Sequence, residues 1–249
     1  VIETVTPHNM ETIKPFEVHV TENHPTEPQV WRVFVDREFT AKLRVIKKDA
    51  DTKMTVLIPD TEFKIFNMDT NKYVEMITTY PSKKVHTSFF TDADGDLILP
   101  DVLPLGNYRI EEVAAPFGYV LNENYVEVKV DTDTFYEVDP DTYEAIITVE
   151  YEDAPAVGDL VIEKKGEVLD AYKGGLFAVS EDKEFVYREG SLAGAKFEIY
   201  AAEDIYTADM QTDENGNRNK YYAEGDLVAT VVTGEDGKAK VSDLPLGKY

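Results

Sequence analysis

Three ionisable residues of this chain sit at alternating, apolar-rich positions where a side chain would point into a protein interior. In Leu43-Arg44-Val45-Ile46-Lys47, a period of two puts Leu43, Val45 and Lys47 on one face. In Tyr108-Arg109-Ile110-Glu111-Glu112, Tyr108, Ile110 and Glu112 share a face. In residues 147–153, Ile147, Val149, Tyr151 and Asp153 do so. If those faces form the core, one amine and two carboxyl groups are buried together. Buried charge is costly unless it is paired or neutralised. On the residues alone, an ordinary buried lysine–carboxylate cluster explains the pattern. The neighbouring Lys48 and Glu111 turn outward by the same parity.

The elements that must position these residues are strands. Segments at 16–20, 43–47, 63–66, 125–130, 146–151, 160–164 and 227–232 are rich in Val, Ile, Tyr, Phe and Thr with period-two alternation. Asp-Gly, Asn-Gly and Pro-Leu-Gly turn signals separate them. Only residues 200–205 hint at a helical turn. Short strands at this spacing predict an all-β chain of tandem β-sandwiches.

The text also repeats. Asp36 precedes Leu43 and Lys47 as Asp153 precedes Leu160 and Lys164, with the same Asp-to-Lys spacing. "TEFKIF" returns as "AKFEIY", "TDADGDL" as "TGEDGKA", and "DVLPLGNY" as "SDLPLGKY". Boundaries therefore fall near Thr40 and Val157. Residues 1–38 read as the last strands of a preceding repeat domain, 39–155 as a complete domain, and 156–249 as a following domain without its last strands. Insertions around residues 168–190 and 204–225 belong on loops. Joining Tyr249 to Val1 rebuilds the unbroken text of residues 103–119 to within one residue, as expected for one period of a longer repeating fibre.

The strand ending in Lys47, the text Leu103-Pro104-Leu105-Gly106-Asn107-Tyr108 continuing through Glu112 to Ala115-Pro116-Phe117-Gly118-Tyr119, and the closing strand into Asp153 resemble the B-type repeat domains of Gram-positive collagen adhesins and the related SpaA-type pilin domains. The resemblance covers all of 39–155 and, in pieces, the rest. It implies a prealbumin-like, immunoglobulin-like β-sandwich. It also implies an intramolecular isopeptide bond between a first-strand lysine and a last-strand Asn or Asp, assisted by a buried glutamate. Carried over, these are Lys47, Asp153 and Glu112, with Glu112 as proton shuttle. Many relatives use Asn at the position of Asp153, so here water rather than ammonia would leave. The physics is compatible: burial disfavours charge on an amine and on a carboxyl, so the two can meet neutral. Across the ends of the chain, Lys164 matches Lys47, Asp36 matches Asp153 and Glu3 matches Glu112. That implies a second set, with Lys164 and Asp36 cross-linking neighbouring copies beside Glu3. The departures there are His8-Asn9-Met10 in place of Phe-Gly-Tyr and a shorter run from Glu3 to Asp36.

Composition excludes several function classes. The 25 Lys and Arg stand against 49 Asp and Glu, a net charge of −24, which repels nucleic acid and anionic membrane. There is no cysteine, hence no disulfide or thiolate metal site. No apolar run approaches the ~18 residues of a membrane span, and the first residues are not a signal peptide. Asp92-Ala93-Asp94-Gly95-Asp96 has Gly fourth and Leu103 twelfth, which suits a hairpin turn better than a calcium loop. The four histidines show no ligand spacing, and no phosphate-cradling loop or nucleophile–base set is present. No cofactor or metal is expected. The expected function is thus a structural repeat of an extracellular, cell wall-associated fibre, a pilus shaft or adhesin stalk, whose partners are neighbouring copies joined head to tail. The alternative is an adhesin module that binds host matrix protein or glycan.

Overall fold

A computed structural model describes residues 1–19, 33–173 and 184–249, all of them in strands, turns and irregular segments without a helix. The strand expected at 16–20 lies partly outside these residues, and 16–19 form no strand. The chain divides into two compact units, Val1–Ala154 and Pro155–Tyr249.

The described residues of unit 1 form twelve strands: β1 (Thr40–Asp49), β2 (Glu62–Asn67), β3 (Lys72–Tyr73), β4 (Met76–Thr78), β5 (Lys84–His86), β6 (Phe89–Phe90), β7 (Asp96–Ile98), β8 (Leu103–Pro104), β9 (Gly106–Ala114), β10 (Val126–Val130), β11 (Glu137–Val138) and β12 (Ala145–Asp153). One sheet runs β11-β12-β1-β7, with β8 also on β1. The other runs β10-β9-β2-β3, with β6 on β2, while β4 and β5 form a separate hairpin. The first and last strands of the sandwich, β1 and β12, are parallel neighbours, with Val45 opposite Val149, Lys47 opposite Tyr151 and Asp49 opposite Asp153.

The alternation read from the sequence is visible in β1, whose ten residues are half-buried and buried by turns. Leu43, Val45, Phe63, Ile65, Tyr108, Ile110, Ile147 and Tyr151 fill the space between the sheets. Each such side chain contributes about 1.5–3 kcal/mol on burial. Asp92 spends its carboxylate on the backbone N–H groups of Asp94 and Asp96, forming a turn. Gly95 has φ +75°, and a Cβ there would lie 2.1 Å from the Val56 carbonyl oxygen, so the turn before β7 requires glycine.

The described residues of unit 2 form four two-stranded sheets. β13 (Val157–Glu163) pairs with β20 (Lys238–Pro245), β14 (Lys165–Lys173) with β15 (Glu184–Ser191), β16 (Lys196–Tyr200) with β19 (Leu227–Val232), and β17 (Ile205–Tyr206) with β18 (Lys220–Tyr222). By sequence, β13 corresponds to β1 and β16 to β2. Among the described residues of unit 2, nothing takes the places that β12 and β9 fill beside those strands in unit 1. The helical turn suggested at residues 200–205 is absent, and this corrects that reading. Ala201 donates its N–H to the Asp226 carbonyl and Ala202 to that of Lys248, so these amides are committed to distant partners.

Candidate functional site

Lys47, Glu112 and Asp153 meet in the interior of unit 1, all three side chains wholly out of solvent. Lys47 Nζ lies 2.8 Å from Glu112 Oε1 and 2.5 Å from Asp153 Oδ1. The arrangement follows from topology. Parallel pairing sets Asp153 one inward step beyond Tyr151, which faces Lys47 across the ladder. Glu112 descends from β9 in the opposite sheet, beside Phe63 of β2. The lysine thus bridges the two layers of the sandwich.

The surroundings are dry. Lys47 Nζ sits 4.6 Å from the centre of the Tyr151 ring and 5.7 Å from that of Phe63, and the two rings meet edge to face at 5.1 Å. Close as the ionic contacts are, they lack hydrogen-bond alignment: Lys47 Nζ, Glu112 Oε1 and both Asp153 oxygens have no hydrogen-bond partner. A buried polar cluster left in that state is costly. Burial pushes the Asp153 carboxyl up from 3.8 to about 7, against the pull of the Lys47 amine and with help from the Glu112 charge. Burial, followed by the Glu112 charge, pushes the Tyr151 hydroxyl up to about 12.

The segment after β9 closes over this cluster. Gly118 turns it with φ +91°, and Tyr119 inserts to donate its hydroxyl to Asp49 Oδ2 at 2.7 Å. The Asn122 backbone N–H donates to Glu112 Oε2 at 3.1 Å, leaving Oε1 to the lysine. Asn122 Nδ2 donates to the Glu152 carbonyl at 2.8 Å, and the Tyr151 hydroxyl reaches the carbonyls of Asn122 and Asn124. Sequence reasoning passed over Asp49, although it shares the parity of Lys47 and is fully buried. It also passed over Asn122, whose bond to Glu112 runs through backbone and leaves no signature in residue type.

An amine in contact with a carboxyl whose ionisation burial disfavours, and with a second carboxyl on the same nitrogen, is the set of groups that a condensation would need. The second set of residues is arranged differently. Glu3 is half-buried and accepts the Ile13 N–H at 2.9 Å, whereas Asp36 and Lys164 are exposed. Lys164 nonetheless repeats the backbone setting of Lys47. Its N–H donates to Gly237 and its carbonyl accepts from Leu192, as those of Lys47 engage Gly95 and Val56. Among the described residues, no group of three or more His, Asp or Glu could hold a metal ion.

The family model of the SpaA prealbumin-like fold domain matches residues 41–143 and 186–249. Among solved structures, the TIE protein of Bacillus anthracis is 24% identical over 85% of this chain and 28% of its own, with a TM-score of 0.43. The minor pilin GBS52 of Streptococcus agalactiae is 15% identical over 47% of this chain and 45% of its own, at 0.36. Domains D2 and D3 of the major pilin SpaD from Corynebacterium diphtheriae are 18% identical over 49% of this chain and 51% of their own, at 0.36. The chain therefore spans about a quarter to a half of the length of these proteins. No curated protein matches.

Proposed function

Because this chain belongs to the SpaA family of prealbumin-like fold domains, we propose that it is a structural segment of a Gram-positive cell-surface fibre, stapled by an amide between Lys47 and Asp153. The observation that carries the proposal is the buried, unaligned contact of Lys47 with Asp153 and Glu112 across the two sheets. The Lys47 nitrogen adds to the Asp153 carboxyl carbon, which burial keeps protonated and electrophilic. Glu112 takes a proton from the nitrogen and delivers it to the departing hydroxyl. One C–N bond forms, one C–O bond breaks, and one water leaves. The product is one neutral amide in place of two ionisable groups, so no charge has to be held in the dry site. The reaction happens once per domain, so the protein is a scaffold rather than a turnover catalyst.

Its partners are neighbouring repeats, continued head to tail outside the cell at the wall, with Lys164, Asp36 and Glu3 as the corresponding set between copies. Supporting this are β13 and β16, which among the described residues pair with one strand each, and the match of residues 1–38 to the text that follows Tyr108 in unit 1. The test is the intact mass of the denatured chain. The expected result is a mass lower by one water, with Lys47 and Asp153 peptides joined after proteolysis. An unreduced mass in a folded preparation would overturn the proposal.

A further inference from the structure

The turn at residues 7–11 has a structural twin in the segment after β9. Met10 N–H donates to the Pro7 carbonyl at 3.1 Å, and Tyr119 N–H to that of Pro116 at 3.2 Å. Asn9 has φ +60° where Gly118 has φ +91°. Glu11 N–H donates to Arg37 O at 2.9 Å, as Val120 N–H does to Ala154 O at 3.0 Å. The spacing from Glu3 to Pro7 equals that from Glu112 to Pro116, and that from Asp36 to Arg37 equals that from Asp153 to Ala154. Residues 7–11 and 36–38 therefore reproduce the closing turn of a sandwich of this type.

What differs is the side chain at the left-handed position. Asparagine is among the few residues besides glycine that tolerate this backbone region, and here its amide reaches out of the turn. Asn9 Oδ1 accepts the Thr132 backbone N–H and the Thr132 hydroxyl, both at 3.2 Å, while Asn9 N–H donates to Thr132 Oγ1 at 3.1 Å. His8 Nε2 lies 3.2 Å from Asp133 Oδ2, Phe39 N–H donates to the Asn9 carbonyl at 2.8 Å, and the Thr40 hydroxyl donates to Glu11 Oε1 at 2.6 Å. The receiving loop is already set. The buried Asp131 accepts the N–H groups of Asp133 and Thr134 and the Thr134 hydroxyl. The Lys129 ammonium holds its carboxyl down at about 2.

We propose that the loop following β10, centred on Thr132, is a docking site for the closing turn of a preceding repeat of the same fold, and that Asn9 is the latch that fixes it there. The proposal rests on the tandem-repeat reading and is independent of the cross-link. The junction ahead of the β1–β12 sandwich is then held by one residue. Gly118, at the equivalent place in the next turn, has no side chain with which to repeat the bond.

The test is amide hydrogen exchange on the full chain with Asn9→Gly and, separately, Thr132→Val. Asn9→Gly is expected to speed exchange of the Thr132 N–H roughly tenfold, the worth of one hydrogen bond. The Met10 and Glu11 amides, which belong to the turn itself, should keep their protection. Thr132→Val should do the same to the Asn9 N–H. Unchanged Thr132 exchange in Asn9→Gly, or loss of Met10 and Glu11 protection along with it, would overturn the latch. The melting midpoint of the β1–β12 sandwich separates the two ideas: it should move by no more than about 2 °C in either variant. A larger fall, with the exchange result intact, would make residues 7–11 part of the fold of that sandwich and refute the tandem reading instead.

Discussion

Lys47→Met removes the nucleophile while leaving an unbranched apolar chain of similar length between the Tyr151 and Phe63 rings. Two losses should follow. The first is the proposed cross-link, which would close a loop of roughly 100 residues; by the entropy of loop closure this is worth about 4–5 kcal/mol. For a domain of this size that amounts to a fall of about 10–20 °C in the melting midpoint of unit 1. The second loss depends on pH. In the variant Asp153 is a free acid, which burial raises to about 7 from 3.8 even against the amine. Below the unfolded value it is protonated in both states and exacts nothing. Between there and about 7 the unfolded chain ionises and the folded one does not, so stability falls as pH rises through the folded value. Three units of separation correspond to on the order of 4 kcal/mol. The cross-linked protein has no carboxyl at this position and should lack this component. Urea unfolding at pH 4, 6 and 8 of the wild type, Lys47→Met, and Lys47→Met combined with Asp153→Asn isolates it, because single and double variants share Glu112 and differ only in the acid at position 153. A single variant that melts within about 3 °C of the wild type, or that follows the double variant at every pH, would refute the reasoning.

Glu112→Gln keeps the shape and the acceptor for the Asn122 N–H but cannot carry the proton; mass spectrometry should find the folded variant without water loss, and full condensation in it would remove Glu112 from the mechanism. Tyr119→Phe strips the hydroxyl from buried Asp49 Oδ2 and should cost about 1–3 kcal/mol by urea unfolding; a change below about 0.5 kcal/mol would mean that the loop is held mainly by its other bonds. Residues 156–249 alone should associate or unfold without a sharp transition, since among the described residues β13 and β16 each have one strand partner. A monomeric fragment with cooperative melting would show that its boundaries are wrongly drawn.

Period-two alternation made the sandwich legible because β1, β9 and β12 are long and each has one buried face; the same parity carries Lys47, Glu112 and Asp153 to the interior. Strands of two or three residues, such as β3 and β6, are too short to show any period. The hairpin of β14 and β15 was read only as a loop insertion, although residues 165–173 and 184–191 pair over most of their length. Residues 200–205 misled because local composition says nothing about amides satisfied from Asp226 and Lys248. In the site itself, side chains that pack by parity could be inferred. The lid built from Asn122 and Tyr119 could not, since it depends on where an irregular segment returns.

The parallel pairing of β1 and β12 has a consequence for extensibility. The chain enters at Thr40 and leaves at Asp153, at opposite ends of two adjacent strands that point the same way. A pull between Thr40 and Asp153 therefore slides one strand past the other and loads all the ladder bonds together, instead of peeling them apart singly. If the proposed amide forms, the tether runs from Thr40 to Lys47 and straight out through Asp153, a path of about 25 Å. The roughly 100 residues between them, about 350 Å of chain if drawn straight, are then bypassed. Such a domain would lose its native packing and still add almost no length between its ends.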